Sequence, residues 1–275
     1  MSSSSHTAAL AGGRRSSGGN VRHALEVSAG LAWRSLILVR RMPSVFLPSL
    51  VMPLFILVAT SGAFRGISLL PAFDGASYLA FTIPLALVMG AGFAGMNAGM
   101  TLARDIEGGF VDRLIVSPAP RITLIAGPLM AAGVRSVFTT TVVLIAGLIG
   151  GVDLPGVVDT VALYLLGIAF AAASACWAMG VALRTRTIQA APIMQVVIFL
   201  AIFTSVAYAP RAVLTGWLAT VADLNPVTYL LEASRAAELT GLGWSELWPA
   251  LVALSALLAL LGTWAVTGLA TLGRR

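Results

Sequence analysis

The sequence predicts an all-α polytopic membrane protein, and three observations carry that reading. Of the 275 residues, 58% are hydrophobic and only 10% are charged, a balance outside the range of soluble domains. The apolar residues gather into six runs, at 44–64, 75–101, 123–150, 156–183, 188–209 and 248–271. Each is long enough to cross ~30 Å of hydrocarbon as a helix rising ~1.5 Å per residue. The third observation is the placing of positive charge. With a cytoplasmic N-terminus, Arg14, Arg15, Arg22, Arg34, Arg40, Arg41, Arg104, Arg113, Arg121, Arg184, Arg186, Arg274 and Arg275 lie inside, and only Arg65, Arg211 and Arg235 lie outside. Thirteen against three is the asymmetry that orients membrane helices. Six crossings return the C-terminus, residues 272–275, to the cytoplasm as well.

Several chemistries are excluded by what is missing. There is no lysine, since all 17 basic residues are arginines, so a P-loop with its phosphate-binding lysine is impossible. The one cysteine, Cys176, lies in an apolar run and reads as a small buried thiol. His6 and His23 are the only histidines, which leaves the membrane region no histidine metal ligands. No metal site is expected and no nucleic acid partner, because the arginines flank hydrophobic runs instead of forming one basic face.

Taken in order, residues 1–20 are rich in Ser, Gly and Ala and read as a disordered tail. Residues 21–43 place Val21, Leu25, Leu31, Leu36 and Val39 on one helical face and Arg22, Glu26, Arg34, Arg40 and Arg41 on the other. That is an amphipathic helix lying in the headgroup plane, ended by Pro43. The transmembrane domain then occupies 44–271. Within it, Gly95 and Gly99 stand four apart in the second run and suit close helix packing. Arg135 falls inside the third run, where it must snorkel toward the interface from the first turns of a long helix or serve a polar site.

Two islands interrupt the apolar pattern. Residues 104–121 hold three positive and three negative charges. Asp105, Glu107, Asp112 and Arg113 precede an apolar Leu114-Ile115-Val116 edge, and Ser117-Pro118-Ala119-Pro120 stops any helix. This is either a short amphipathic helix at the membrane surface or a solvated return of the chain. The second island, 209–247, is too long and too patterned for a connector. Ala212–Ala222 and Pro226–Leu239 read as helices, with Asn225 as N-cap and Pro226 at the first helical position. Val227, Leu230, Leu231 and Ser234 share a face, so the segment folds back onto or into the outer leaflet.

Both islands carry a resemblance. Asp105-x-Glu107-x-Gly109-x-x-Asp112-Arg113-Leu114-x-Val116-Ser117-Pro118-x-x-Arg121 resembles the signature between the second and third spans of type-2 ABC export permeases, with Arg104 as the basic residue at its start. Gly108-Gly109 departs from the usual single glycine and implies a looser turn. Ala209-Pro210, Gly216-Trp217, Asn225-Pro226-Val227-Thr228-Tyr229 and Glu232-Ala233-x-Arg235 are similar to the same family's outer re-entrant motif, in its daunorubicin-resistance-type branch. The resemblance runs from about residue 22 to the end. It implies a permease subunit in a bacterial plasma membrane, paired with a second copy and with two copies of a separate ATPase that holds ATP and Mg. This chain itself would be no enzyme. Residues 104–121 would be its coupling helix, with Arg104, Asp105, Glu107, Asp112, Arg113, Leu114, Val116 and Ser117 meeting the ATPase.

In such transporters the second and fifth spans enclose a central cavity. Met89, Phe93, Met96, Asn97 and Met100 share one face of the second run, and Gln195, Phe199, Ile202 and Val206 form a stripe on the fifth with Phe203 beside it. Methionine and phenylalanine suit variable apolar cargo. Ordinary helix packing or lipid exposure is the other reading of the same stripes. The cargo implied is a hydrophobic small molecule, such as a drug or natural product, or a lipid; a lipid-linked glycan is the alternative. A membrane-embedded enzyme would need convergent titratable groups and a channel would need charge rings. Neither pattern is present.

Overall fold

The computed structural model describes residues 43–63, 77–115 and 122–273, together with Glu26, Ala29, Gly30, Trp33, Ile37 and Gly66. Among the described residues from Pro43 onward nine α-helices follow one another: α1 Pro43–Ala63, α2 Tyr78–Glu107, α3 Phe110–Ile115, α4 Thr123–Ile149, α5 Val157–Thr185, α6 Ala191–Phe203, α7 Trp217–Leu224, α8 Pro226–Leu239 and α9 Trp244–Leu269. Among the described residues there is no strand. The expected 1–20 tail and most of the 21–43 helix lie outside the described residues. Glu26, Ala29, Gly30, Trp33 and Ile37 are helical and exposed, at spacings that share one helical face.

α2 is the centre of the bundle. It packs against α1, α4, α5, α6 and α8, and almost every residue from Tyr78 to Gly99 is buried inside the chain, so its neighbours surround it. Ser77 starts it by accepting a hydrogen bond from the Ala80 N–H at 3.2 Å. Its glycines set the distance to α5. A Cβ on Gly95 would run into the carbonyl of Ala171 and the backbone nitrogen of Ala175, and one on Gly99 into Ala178. The alanines opposite are as short as side chains come, so the two backbones approach closely from Ala171 to Ala178, about two turns of α5. Lipid supplies no hydrophobic drive between helices, so this close van der Waals contact holds the pair.

Near the C-terminal end of α5, α9 is clasped to it. Arg184 Nη1 donates to the carbonyls of Gly180 and Trp264, both at 2.8 Å. Its guanidinium lies 3.4 Å from the centre of the Trp264 ring, which stacks in turn on Trp177 at 6.1 Å. Gly180 is needed here because a side chain would enter the Trp264 ring.

Among the described residues four helices, α2, α4, α5 and α9, are long and apolar enough to cross a membrane. The first and fifth expected spans are shorter in their described apolar parts, Leu50–Ala63 and Ile188–Phe203. The fifth differs most from the expected 188–209. It opens with a 3-10 turn, Ile188–Ala190, and α6 stops at Phe203. Around that end, backbone carbonyls are taken by side chains of the 209–247 segment and of α2. Asn225 Nδ2 donates to Ala201 O at 2.6 Å, Arg235 Nη2 to Ala207 O at 2.8 Å and Tyr78 Oη to Tyr208 O at 3.2 Å.

The 209–247 segment is a helical hairpin. α7 starts later than the expected Ala212, after a 3-10 turn at Arg211–Val213 and Gly216 at φ +67°, a conformation that favours glycine. α8 keeps the expected bounds, and Asn225 caps it by accepting from the Val227 N–H at 2.9 Å. Val227, Leu230, Leu231 and Ser234 are all buried, so the hairpin folds into the bundle. Arg235, expected in an outer connection, is buried too; it donates to Phe81 O at 3.4 Å, with its guanidinium 3.9 Å from the ring centre.

Adding one methyl group tests the α2–α5 contact. Gly95→Ala and Gly99→Ala are expected to lower the melting temperature of the purified protein, since overpacking costs ~1–3 kcal/mol. Gly262→Ala on α9, where an added Cβ meets nothing, is expected to raise it through ~0.5–1 kcal/mol of helix propensity.

Candidate functional site

The 104–121 island does not form a single helix. α2 runs on through Arg104, Asp105, Ile106 and Glu107, ends at Gly108, and turns at Gly109 with φ +66°. The N–H of Gly108 reaches Arg104 O at 2.9 Å and that of Gly109 reaches Ile106 O at 3.0 Å. The second glycine, the departure noted in the motif, is the residue that permits this left-handed step. The six-residue α3 then carries Asp112 in its first turn and Arg113 in its last, each sign at the favourable end of the helix dipole.

α3 is seated by Val111, which is 1% exposed, with Leu114 and Ile106 packed against the same core. Leu114 therefore contributes to this chain's own core. Val111 is a residue the sequence reading missed, although its i, i+3 spacing to Leu114 was a usable signal. Arg104, Asp112 and Arg113 are exposed and Asp105 is half-buried. Val116 and Ser117 lie outside the described residues.

Glu107 has a different role from its neighbours. Its Oε1 accepts from the Thr187 hydroxyl at 2.6 Å and from the Ile188 N–H at 2.9 Å. Thr187 in turn caps the 3-10 turn before α6 by accepting from the Gln189 N–H at 3.2 Å. The Thr187 hydroxyl, and then the Ile188 N–H, hold the Glu107 carboxyl below the usual carboxylate range. The carboxylate form is thus favoured at neutral pH, and the added preference is lost as pH falls through the lowered value.

The candidate cargo residues are distributed unevenly. Met89, Phe93, Met96 and Asn97 on α2 are buried within the chain, Met100 is half-buried, and on α6 Gln195 and Phe203 are exposed with Phe199 half-buried. What comes together is aromatic: Phe93 meets Phe199 edge-on at 5.5 Å, Phe199 lies 5.8 Å from Phe203, and Phe203 lies 5.5 Å from Tyr208. Tyr208 was not foreseen, because it falls beyond the end of α6. A separate groove of about 550 Å³ lies between the α7–α8 hairpin and α9, lined by Tyr229, Trp248 and Leu260 among others. None of the candidate cargo residues lines it.

Arg135 does not snorkel. It sits twelve residues into α4 and is 3% exposed, with Nε and Nη1 lacking hydrogen-bond partners, as does the neighbouring Ser136 Oγ. The first turns of α4 are themselves buried at Thr123, Leu124 and Ile125, so the helix begins in contact with protein and Arg135 is carried to depth. A buried charge without a partner costs several kcal/mol.

This architecture, helical throughout the described residues, with long apolar helices and a turned charged segment, is that of a polytopic membrane protein. The chain matches the ABC-2 type transporter family over residues 29–239 and belongs to that family. It is similar to a protein described as a transport permease, ycf38, of Cyanophora paradoxa, with 27% identity over 210 residues, 74% of this chain and 71% of that one. It is also similar to the daunorubicin resistance ABC transporter permease protein DrrB1 of Streptomyces coeruleorubidus, with 26% identity over 228 residues, 80% of this chain and 78% of that one.

Removing the buried guanidinium isolates its cost. Arg135→Met is expected to raise thermal stability by roughly 1–4 kcal/mol, since apolar residues commonly replace buried charges at a gain. A melting curve of the purified protein beside wild type reads the effect.

Proposed function

We propose that this chain is the membrane-spanning subunit of an ATP-driven exporter that moves hydrophobic small molecules or lipids outward. The observation that carries the reading is membership of the ABC-2 type transporter family over most of the chain, and its similarity to a drug-resistance permease favours apolar cargo. ATP would be hydrolysed by a separate subunit, because this sequence has no lysine for a P-loop. In this reading α1 and α6 complete a six-span topology, both termini are cytoplasmic, and two copies pair in the membrane.

The contact with the ATPase falls to α3. Arg113 and Asp112 are exposed on a helix whose other face is held by Val111, which is how a rigid charged contact is presented. Glu107, engaged with Thr187, belongs to the support behind that contact. Cargo would meet the α6 side first, where Gln195 and Phe203 are exposed and Phe199 is half-buried. Met89, Phe93, Met96 and Asn97 would become accessible only as α6 moves away from α2.

Co-purification tests the assignment directly. The full chain is expected to retain a partner that binds and hydrolyses ATP. Arg113→Ala should weaken that association, since truncating one member of a buried interfacial charge pair costs ~2–5 kcal/mol. Recovery of no ATPase with the wild-type chain would refute the exporter reading.

Topology is checked by labelling intact cells with an impermeant thiol reagent after Cys176→Ala. Single cysteines at Thr240 and Thr185 are expected to label and to stay protected, respectively. The reverse pattern would invert the orientation.

A further inference from the structure

We infer that Glu107 is a positioning residue that ties the cytoplasmic end of α2 to the start of the fifth span, so that the α3 segment and α6 move as one body. The inference rests on the coupling role proposed above for α3.

Three observations carry it. A single carboxylate oxygen, Glu107 Oε1, receives both the Thr187 hydroxyl at 2.6 Å and the Ile188 N–H at 2.9 Å. These donors come from a point about eighty residues further along the chain. Both lie at the N-terminal end of the 3-10 turn that leads directly into α6, where negative charge is favoured by unpaired N–H groups and the helix dipole.

The chain on either side is short. Between α5 and the 3-10 turn stand only Arg186 and Thr187, and Arg186 has a left-handed backbone at φ 57°. Gly108 and Gly109 alone separate Glu107 from α3. A displacement of α3 therefore reaches Glu107 across two residues, and Glu107 passes it to α6, which carries Phe199 and Phe203. The alternative is a pin that merely holds the 186–190 turn in shape.

Both hydrogen bonds use oxygen as acceptor, so a glutamine amide oxygen can replace the carboxylate and alanine cannot. A contact with a positive group on a partner would fail equally with either substitution.

The test uses the full chain with its co-purified ATPase in lipid nanodiscs, in a Cys176→Ala background. Nitroxide labels at Val197 on α6 and Leu260 on α9, both exposed, report the distance change on adding ATP. Hydrogen exchange at Ile188–Ala190 reports the local bonds. In Glu107→Ala and Thr187→Val, exchange should rise about tenfold and the ATP-dependent distance change should fall below half of wild type. Glu107→Gln and Thr187→Ser should keep both.

An unchanged ATP response in the alanine and valine variants, with exchange raised, would make Glu107 a local pin and overturn the inference. Glutamine behaving like alanine would do the same. A wild-type complex without any ATP response would remove the coupling reading and this inference with it. That result is recognisable because exchange would still separate alanine from glutamine.

Discussion

The structure depends on the backbone contact between α2 and α5. Gly95 and Gly99 leave no side chain between α2 and the Ala171, Ala175 and Ala178 edge of α5. In a lipid environment, where burial of apolar surface gains little, such contact is a main source of helix association. Larger residues at those positions would separate the helices. The Thr139 side chain of α4 sits so close to Gly90 that no Cβ fits between them, and that contact would then lose its register.

A central helix that is held so closely can serve as a lever. α2 extends beyond the bundle to the Gly108–Gly109 turn, and α3 hangs from it, pinned by Val111. The charges that give the 104–121 island its appearance divide into two groups. Asp112 and Arg113 face outward, whereas Glu107 faces the neighbouring connection and holds Thr187. The segment is thus attached to the protein at two points, and its exposed face is stiff for a short helix.

The α7–α8 hairpin follows the same logic with polar groups. Asn225 and Arg235 donate to carbonyls that α6 and the 204–210 segment leave open, which lets α6 end at Phe203 with those carbonyls paired. Arg211 bridges Asp223 at 3.2 Å and Glu232 at 3.0 Å across the hairpin. That pair of contacts is exposed and contributes little to stability. The buried donors carry the fold, and the exposed ion pairs decorate it.

The sequence by itself determined the helical class, the approximate extent of the long spans, the Asn225 cap and the family, because each follows from local composition, spacing or a short motif. Pro226–Leu239 begins and ends where its capping residues predict. Tertiary structure alone decided the rest. Nothing in the run 188–209 marks Phe203 as its end, and the side chains that take the carbonyls around it come from α2 and the 209–247 segment. Nothing in 104–121 shows that Glu107 bonds Thr187, a partner about eighty residues away. Periodicity placed Met89, Phe93, Met96 and Asn97 on one face but could not say that α4, α5 and α6 would cover α2 on every side. Arg135 allowed both an interfacial and a buried reading from its position in a long run. The packing of the first turns of α4 chose burial. Local rules act over one or two turns of chain, and whichever helix arrives opposite decides what each face becomes.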